Sequence, residues 1–447
     1  MDHGLTSRCE GVNPPPPQGR DFDPPNWRHT GMTTSPLPRH LKVLRVGSYA
    51  SAAPPRLLEY AYYALFYYST VTLFLGISIP NLAGMMQLAL AACCVICLGS
   101  RATVVYTSIR LPLACALSFV IVQITFYDES IKGGEVRAFI DWILVLIIFQ
   151  SLYLRRGFLH RCVLVFFSMG LLALPHLKAA VGTAGLHERV AVDAKAGVGF
   201  TNANGLGEWF GFFCLYFTIV GLESKRTGVR VASSLAAVGC LLVVGLSVSR
   251  GALLGTALGI TIALRRVLRR GFVPLLVFII LNGTLYTFGV FDRMIAHYTA
   301  RGMEETGRSL IWPVAIEHFL SSPLIGVGAA NVGVYVPSTG RYWMPHNGFI
   351  QIALVSGILP LALFVASWIR AAQNAFSSDA QLADGPFRLP LLVYAFVSTM
   401  VGGGVFVAWG ILSFVVALAS STPYGGCRLI VRRVKKASAG STLWTPR

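Results

Sequence analysis

The chain has 447 residues, of which 54% are hydrophobic and only 13% charged, and 37 Lys and Arg against 19 Asp and Glu give a formal net charge of +18. Soluble domains carry about 25% charged residues, so an ordinary soluble enzyme is excluded. The basic residues fall in short groups between long apolar runs rather than on one continuous face. This distribution favours a membrane as the partner of the positive charge and does not predict nucleic-acid binding.

Residues 1–55 differ in composition from the rest of the chain. Pro14 to Pro17 form a run, and no apolar stretch in this region reaches the length of a signal-peptide core. The region is predicted to be a disordered cytoplasmic tail. An alternative interpretation is that translation starts at Met32.

Apolar segments of roughly membrane-spanning length recur from Leu58 onward. Residues 56–425 are therefore predicted to form an all-α polytopic membrane domain with about 12 transmembrane helices. The predicted spans are 58–79, 82–98, 111–127, 138–153, 162–180, 205–222, 231–248, 251–264, 272–290, 347–369, 389–402 and 405–420.

Basic residues are concentrated in one set of alternate short loops, which includes Arg155, Arg156, Arg265 and Arg266. A further basic stretch, 426–447, follows the last predicted span and is predicted to be a cytoplasmic tail. The positive-inside rule then places both termini in the cytoplasm.

Two external connections are long enough to contribute to a site. Residues 291–346 form the longest predicted loop, and loops of this length are usually functional or separately structured. Within it, Ile311, Val314, Ala315 and Phe319 have near-helical spacing, which predicts a short amphipathic helix on the outer membrane surface. The second external segment, 181–203, is shorter and also polar.

Cysteine and histidine do not indicate a metal or redox centre. Most cysteines lie inside apolar stretches, where the thiol behaves as a small hydrophobe. Cys94 and Cys97 form a C-x-x-C without a second pair or nearby His ligands, and His297 and His318 share the long loop without a metal-ligand pattern. We therefore predict no metal.

Charged residues at or inside a bilayer are costly and require a reason. Arg250 lies between two predicted spans, where it is either a snorkelling side chain or a cation directed into a polar cavity. Asp141 and Glu208 lie within predicted spans, and each is interpreted first as an internal partner of an arginine or of a backbone group.

The external segments contain more arginine than lysine. A guanidinium group holds two phosphate oxygens at once, which suits capture of a diphosphate at the water–lipid boundary. Taken singly, such arginines are more often solvated or paired with neighbouring glutamates. The external arginines are Arg189, Arg293, Arg301, Arg308 and Arg341.

His346 precedes a long apolar segment in the sequence Pro345-His346-Asn347-Gly348. Its ring is therefore expected at the membrane boundary, where a histidine can accept a proton near neutral pH. Asn347 would then orient the histidine or bind a sugar hydroxyl. The alternative is a simple turn in which Asn347 begins the following helix.

Five short motifs occur in one order: Thr201–Gly207, Ser249–Gly255, Gly307–Trp312, Pro323–Asn331, and His346–Gln351 followed by Gly357–Leu359. Their order and content resemble those of the O-antigen ligase and O-antigen polymerase superfamily. The resemblance covers roughly residues 180–370.

The resemblance implies a GT-C-like protein of the bacterial cytoplasmic (inner) membrane, whose long external loop carries short helices and caps a site at the outer leaflet. Such proteins move a glycan from a polyprenyl-diphosphate carrier to an acceptor hydroxyl, without a metal, a cofactor or a nucleotide sugar. His346 corresponds to the family's essential histidine and Arg308 to the arginine that opens its second half, and Arg189 is the candidate for its other external arginine. The candidates for substrate binding are Arg250, Asn347, Asn204 and Arg301.

Three acceptors remain open at this stage: a lipid A core sugar for a ligase, a carrier-linked glycan for a polymerase, and a protein Ser or Thr for an oligosaccharyltransferase. A hypothesis from another class is a transporter or flippase of lipid-linked glycan. About twelve spans and intramembrane charges such as Asp141 and Glu208 would also suit that function.

Overall fold

The structure is a computed structural model, and it describes most of the chain between residues 102 and 402, with gaps. The described residues are 56, 58–60, 62–64, 88–89, 91–93, 95, 102–127, 134–153, 157–181, 188–192, 203–268, 280, 283, 286–287, 292, 296, 308–337, 340–377 and 385–402. They belong to one unit, Ala50–Arg447. The predicted tails 1–55 and 426–447, most of the predicted spans 58–79, 82–98 and 272–290, and the span 405–420 lie outside them.

The described residues are mostly helical. The helices are α1 (Ala102–Tyr127), α2 (Gly134–Tyr153), α3 (Phe158–Ala173), α4 (Ala203–Glu223), α5 (Thr227–Ser247), α6 (Arg250–Leu268), α7 (Arg308–Ser321), α8 (Gly348–Ser356), α9 (Ile358–Ser377) and α10 (Gly385–Gly402). Short 3-10 turns occupy Leu174–His176 and Ala329–Asn331.

Two small antiparallel hairpins complete the described elements. Strand β1 (Leu177–Val181) pairs with β2 (Glu188–Val192), and Ala180 lies opposite Arg189. Strand β3 (Val334–Val336) pairs with β4 (Arg341–Trp343), and Tyr335 lies opposite Tyr342. Val334 and Val336 are buried, while Tyr335 is exposed, so one face of β3 packs against the protein and the other faces outward.

Four helices of the described part are long and apolar enough to cross a membrane: Ile109–Tyr127, Ala203–Glu223, Thr227–Ser247 and Ile358–Phe376. The first three coincide with the predicted spans 111–127, 205–222 and 231–248. The helical membrane class is thus confirmed, and the total of about 12 spans stays a prediction.

Two predicted spans are wrong in their extent. The span 162–180 corresponds to α3, which ends at Ala173, and the chain continues through a 3-10 turn into β1. Pro175 lies in that turn, and its ring removes the N–H that a continuing helix would use. The span 347–369 is divided at Gly357 into α8 and α9.

The long external loop contains a helix at the predicted position, α7. Ile311 and Ala315 are buried, and Val314 and Phe319 pack against the core, as their spacing predicts. The placement of this helix on the membrane surface stays a prediction.

Helix α4 lies at the centre of the packing. It contacts α5, α6 and α10, while α1 packs on α2 and α9. Most of α4 is buried, and its Phe213 and Phe217 meet Phe167 of α3 edge to face at centroid distances of 5.3 and 4.7 Å. Close packing of this kind stabilises helix association inside a bilayer, where lipid tails are as apolar as the side chains.

Candidate active site

The C-terminal end of α10 is the meeting point of several helix ends. A Cβ added to Gly251, near the start of α6, would lie 2.2 Å from Val401 Cγ2. Arg308, at the start of α7, donates from Nη2 to the carbonyl oxygen of Val401 at 2.6 Å. Asn347, directly before α8, places Nδ2 3.9 Å from Met400 Sδ. The first turns of α6, α7 and α8 therefore surround one point.

The first turns of α4 reach the same point. A Cβ added to Gly207 would lie 2.5 Å from Ser247 Oγ and 2.7 Å from Ser249 Cβ, so α4 approaches the α5–α6 connection closely. In the next position, the carbonyl oxygen of Glu208 accepts a hydrogen bond from the hydroxyl of Tyr394 in α10. The glycine permits a contact that any side chain would prevent.

Arg308 provides the charge at the centre of this arrangement. Its guanidinium group lies close enough to the carboxyl group of Glu208 and to the ring of His346 to act on both electrostatically. The side chain is half-buried. This charge effect supports the interpretation of Glu208 as an internal partner of an arginine, which stays a prediction.

Both residues next to His346 in the chain, Pro345 and Asn347, make hydrogen bonds. The preceding carbonyl, that of Pro345, accepts a hydrogen bond from Trp312 Nε1 at 2.9 Å, and the following residue caps α8. The residue is exposed, but the protein around part of its ring and, to a smaller extent, the charge of Arg308 lower the pKa of His346 below its ordinary value. The neutral ring, which can accept a proton, thus persists into mildly acidic solution.

Backbone strain marks the same place. Among the described non-glycine residues, positive φ angles occur at Val248, with 51°, and at His346, with 47°. A β-branched residue in this conformation is a true outlier, and such outliers persist where the surrounding structure enforces them, often at functional sites. Val248 directly precedes Ser249 and Arg250, so both strained residues flank the meeting point of the helices.

The comparison with known families agrees with this geometry. Residues 235–365 match the family model described as O-antigen ligase. This region, less than a third of the chain, is similar to the O-antigen ligase family. The resemblance drawn from the five motifs is confirmed, and the match supports a membrane enzyme of the ligase and polymerase type that transfers glycans. No curated protein matches the chain significantly.

The matched region 235–365 contains Arg250, Arg308 and His346, but it does not contain all the residues at the meeting point of the helices. Val401 of α10, which accepts a hydrogen bond from Arg308, and Glu208 of α4, on which the charge of Arg308 acts, lie outside the matched residues. Elements on either side of the matched region therefore complete the surroundings of Arg308.

Asn347 is the N-cap of α8. Its Oδ1 accepts from the backbone N–H groups of Phe349 and Ile350 at 3.0 and 3.1 Å, and its side chain is buried. This is the helix-capping alternative considered from the sequence. Binding of a sugar hydroxyl by Asn347 stays a prediction.

The structure describes the other predicted site residues to different extents: some with their side chains, one by its backbone alone, and some not at all. Asn204 lies in the first turn of α4, one turn before Glu208 and thus on the same helix face, and Arg250 is the half-buried first residue of α6. For Arg189 the structure describes the backbone only, in strand β2, which packs on α4 and α5. Arg301 and the side chains of Asp141 and Arg341 lie outside what is described.

Three residues of the site, Trp312, Met400 and Val401, were not predicted from the sequence. Trp312 lies within the quoted motif Gly307–Trp312, so the motif contained a signal. Met400 and Val401 contribute through position, and apolar residues of this kind carry no sequence signal. Within the described ranges, no group of three or more His, Cys, Asp or Glu could hold a metal ion, and a metal-independent reaction stays a prediction.

Proposed function

We propose that this protein is a membrane glycosyltransferase that moves a glycan from a polyprenyl-diphosphate carrier to an acceptor hydroxyl on the outer side of the bacterial cytoplasmic membrane. The observation that carries the proposal is that Arg308 and His346 lie at the starts of two helices that pack on each other, where several helix ends meet and the charge of Arg308 acts on His346. A cation beside a proton acceptor is what a displacement at a sugar phosphate requires.

In this proposal His346 is the general base. The neutral ring takes the proton of the acceptor hydroxyl while the hydroxyl oxygen attacks the anomeric carbon. The bond between that carbon and the diphosphate oxygen breaks, and the electron pair leaves with the polyprenyl diphosphate. One displacement of this kind inverts the anomeric centre.

The departing diphosphate gains negative charge, which the site is suited to stabilise. Arg308 supplies a guanidinium group, and Arg250 and Arg189 are the proposed additional cations. The N-terminal ends of α4, α6, α7 and α8 add the positive ends of four helix dipoles, a favourable setting for phosphate groups. Preorganised stabilisation of this type contributes several kcal/mol.

The carrier's lipid chain stays in the bilayer while its diphosphate and glycan project into water. This requirement supports a site where spans meet external loops, with both termini of the chain in the cytoplasm. Membrane lipids are thus permanent partners of the protein. The match with the O-antigen ligases favours transfer over transport.

The decisive experiment is glycan transfer by the purified protein in detergent, where transport has no meaning. A carrier with a labelled glycan is offered with a lipid A core saccharide, with unlabelled carrier-linked glycan, or with a hydroxyl-bearing peptide. We expect label on one acceptor class and release of polyprenyl diphosphate. Retention of all label on the carrier with each acceptor would refute the proposal.

A further inference from the structure

The boundary between α8 and α9 leaves backbone carbonyls without helical partners. In a continuous helix, the N–H of Ile358 would donate to the carbonyl of Leu354. It donates instead to the carbonyl of Pro323 at 2.8 Å. Gly357 has a φ of 83°, and an added Cβ would lie 2.1 Å from the carbonyl oxygen of Leu324, so the break is built around glycine.

Backbone carbonyls in an apolar segment need other donors, since water is scarce there. The loop of residues 323–331, which follows α7, supplies two of them. Val327 N donates to Leu354 O at 2.7 Å, and Gly328 N donates to Val355 O at 3.1 Å. The loop therefore pairs with the broken helix end through its backbone.

Gln123 of α1 joins the two segments. Its Nε2 donates to the carbonyl of Val355 at 2.9 Å, and its Oε1 accepts from the N–H of Ala329 at 3.0 Å. The side chain has no solvent exposure. The side-chain amide of Gln123 thus donates a hydrogen bond to the end of α8 and accepts one from the 323–331 loop.

Tyr127 lies one turn further along α1 and strengthens the same contact. Its hydroxyl donates to the carbonyl of Gly326 at 2.6 Å. Residues four positions apart share one face of a helix, so Gln123 and Tyr127 act together on the loop. We call these two residues the α1 clamp.

The clamp lies at one end of a pair of parallel helices. α7 and α8 pack on each other, Arg308 is the first residue of α7, and His346 lies just before α8, where the charge of Arg308 acts on it. The 323–331 loop leaves the end of α7 and meets the end of α8. The clamp therefore bonds to the segments that join the ends of the two helices, and an axial slip of one residue between those helices would displace a side chain by about 1.5 Å.

We propose that Gln123, assisted by Tyr127, is a positioning residue that sets the register of α7 against α8 and thereby holds Arg308 and His346 at the working distance for glycan transfer. The inference rests on the proposed function of His346 and Arg308. Gln123 lies outside the residues that match the O-antigen ligase family, in a helix that precedes them. It contacts neither Arg308 nor His346 in any described hydrogen bond and acts through the two helices.

The first test is the variant Gln123→Leu, which keeps the approximate volume and removes both hydrogen bonds. We expect kcat to fall about tenfold or more with KM unchanged, because a misplacement of about 1 Å at a reacting centre costs up to about a hundredfold. Ser118→Ala is the matched control, since Ser118 is on the same helix and bonds only within it, to the carbonyl of Cys115. Wild-type kcat in Gln123→Leu would overturn the proposal.

A second readout does not depend on transfer. The rate at which diethyl pyrocarbonate modifies His346, followed by mass spectrometry of its peptide across pH, reports the pKa of that ring. The charged groups acting here are Arg308 and, facing that arginine from α4, Glu208. If the register slips, Arg308 acts less on His346, and its pKa rises in Gln123→Leu but not in Ser118→Ala.

The two readouts separate the two proposals. Absence of transfer by the wild-type protein, together with a raised pKa of His346 in Gln123→Leu, would refute the proposed function and retain the clamp. Normal transfer with an unchanged titration in Gln123→Leu would refute the clamp alone. If Gln123→Leu is not recovered folded, Tyr127→Phe decides: a smaller change in the same direction supports the clamp, and wild-type behaviour refutes it.

Discussion

The α4–α5 hairpin and the α7–α8 pair hold their helices in different ways. α4 is buried along most of its length among large apolar side chains, and its contacts are spread over many residues. α7 and α8 are short, and directed hydrogen bonds act at their ends, from Trp312, Asn347 and the α1 clamp. Many apolar contacts together stabilise the folded state of the hairpin, whereas a few hydrogen bonds define the position of particular side chains.

This contrast has an experimental consequence. Changes in the hairpin should alter the amount of folded protein, while changes in the α7–α8 pair should alter the rate of transfer by protein that is still folded. The following predictions are ordered by the size of the expected effect.

The largest effect is expected for His346→Ala. Transfer should fall by about 10²–10⁴-fold, because the general base is lost, while the amount of protein in the membrane stays unchanged. His318→Ala is the control, since His318 is exposed near the end of α7, away from Arg308. The measurement is single-turnover transfer of labelled glycan, and full activity of His346→Ala would remove this residue from the mechanism.

Next in size is Arg308→Gln. We expect kcat to fall by about 10²–10³-fold, because the cation that stabilises the departing diphosphate is lost. Arg308→Lys keeps the charge but loses the rigid two-pronged geometry, so it should retain an intermediate rate. Arg265→Gln, at an exposed position of α6 beyond its first turns, is the control. Equal rates for all three variants would contradict the assignment.

The third prediction concerns Gly357→Ala. Gly357 has a φ of 83° and a ψ of −170°, a region open essentially to glycine alone, so a side chain there costs about 1–3 kcal/mol. This Cβ would also displace the carbonyl of Leu324, so both the melting temperature and kcat should fall. Gly239→Ala is the matched control, because nothing lies within 4 Å of a Cβ at that position of α5. The control should gain up to about 1 kcal/mol in helix propensity and keep its kcat. A stable, fully active Gly357→Ala would remove the reason given for the helix break.

The smallest predicted effect is a shift in the pH profile. The pKa of His346 lies below the ordinary value of about 6.5, so the acidic limb of kcat/KM should lie below that pH, where the ring becomes protonated and activity is lost. Arg308→Gln removes a charge that lowers this pKa, so the acidic limb should move to higher pH. Arg308→Lys should leave it nearly unchanged. Identical limbs in the wild-type and Arg308→Gln enzymes would show that Arg308 does not act on His346.

Hydropathy and motif order predicted much of this protein. Helices α1, α4 and α5 follow from their apolar runs, and α7 follows from the spacing of Ile311 and Ala315. Both signals are local, and they depend on side-chain chemistry that is visible in the sequence. The five motifs similarly identified Arg308 and His346 before their closeness was known.

The parts that the sequence did not predict depend on the backbone and on distant contacts. Averaged hydropathy does not detect that the segment after Asn347 breaks at Gly357, because both halves are apolar. Gln123 is one amide in an apolar run, and only the broken helix end shows why a donor and an acceptor are needed there. The one sequence feature that could have pointed to Gln123 is its polar side chain among apolar neighbours.

The clamp also limits how far the matched region can be exchanged between relatives. Residues 235–365 depend on an amide that lies more than a hundred positions upstream, in a helix with no share in the family match. Grafting that region into another scaffold would bring Arg308 and His346 without the upstream residues proposed to align them. We therefore expect a working chimaera to require α1 in addition to the matched region 235–365.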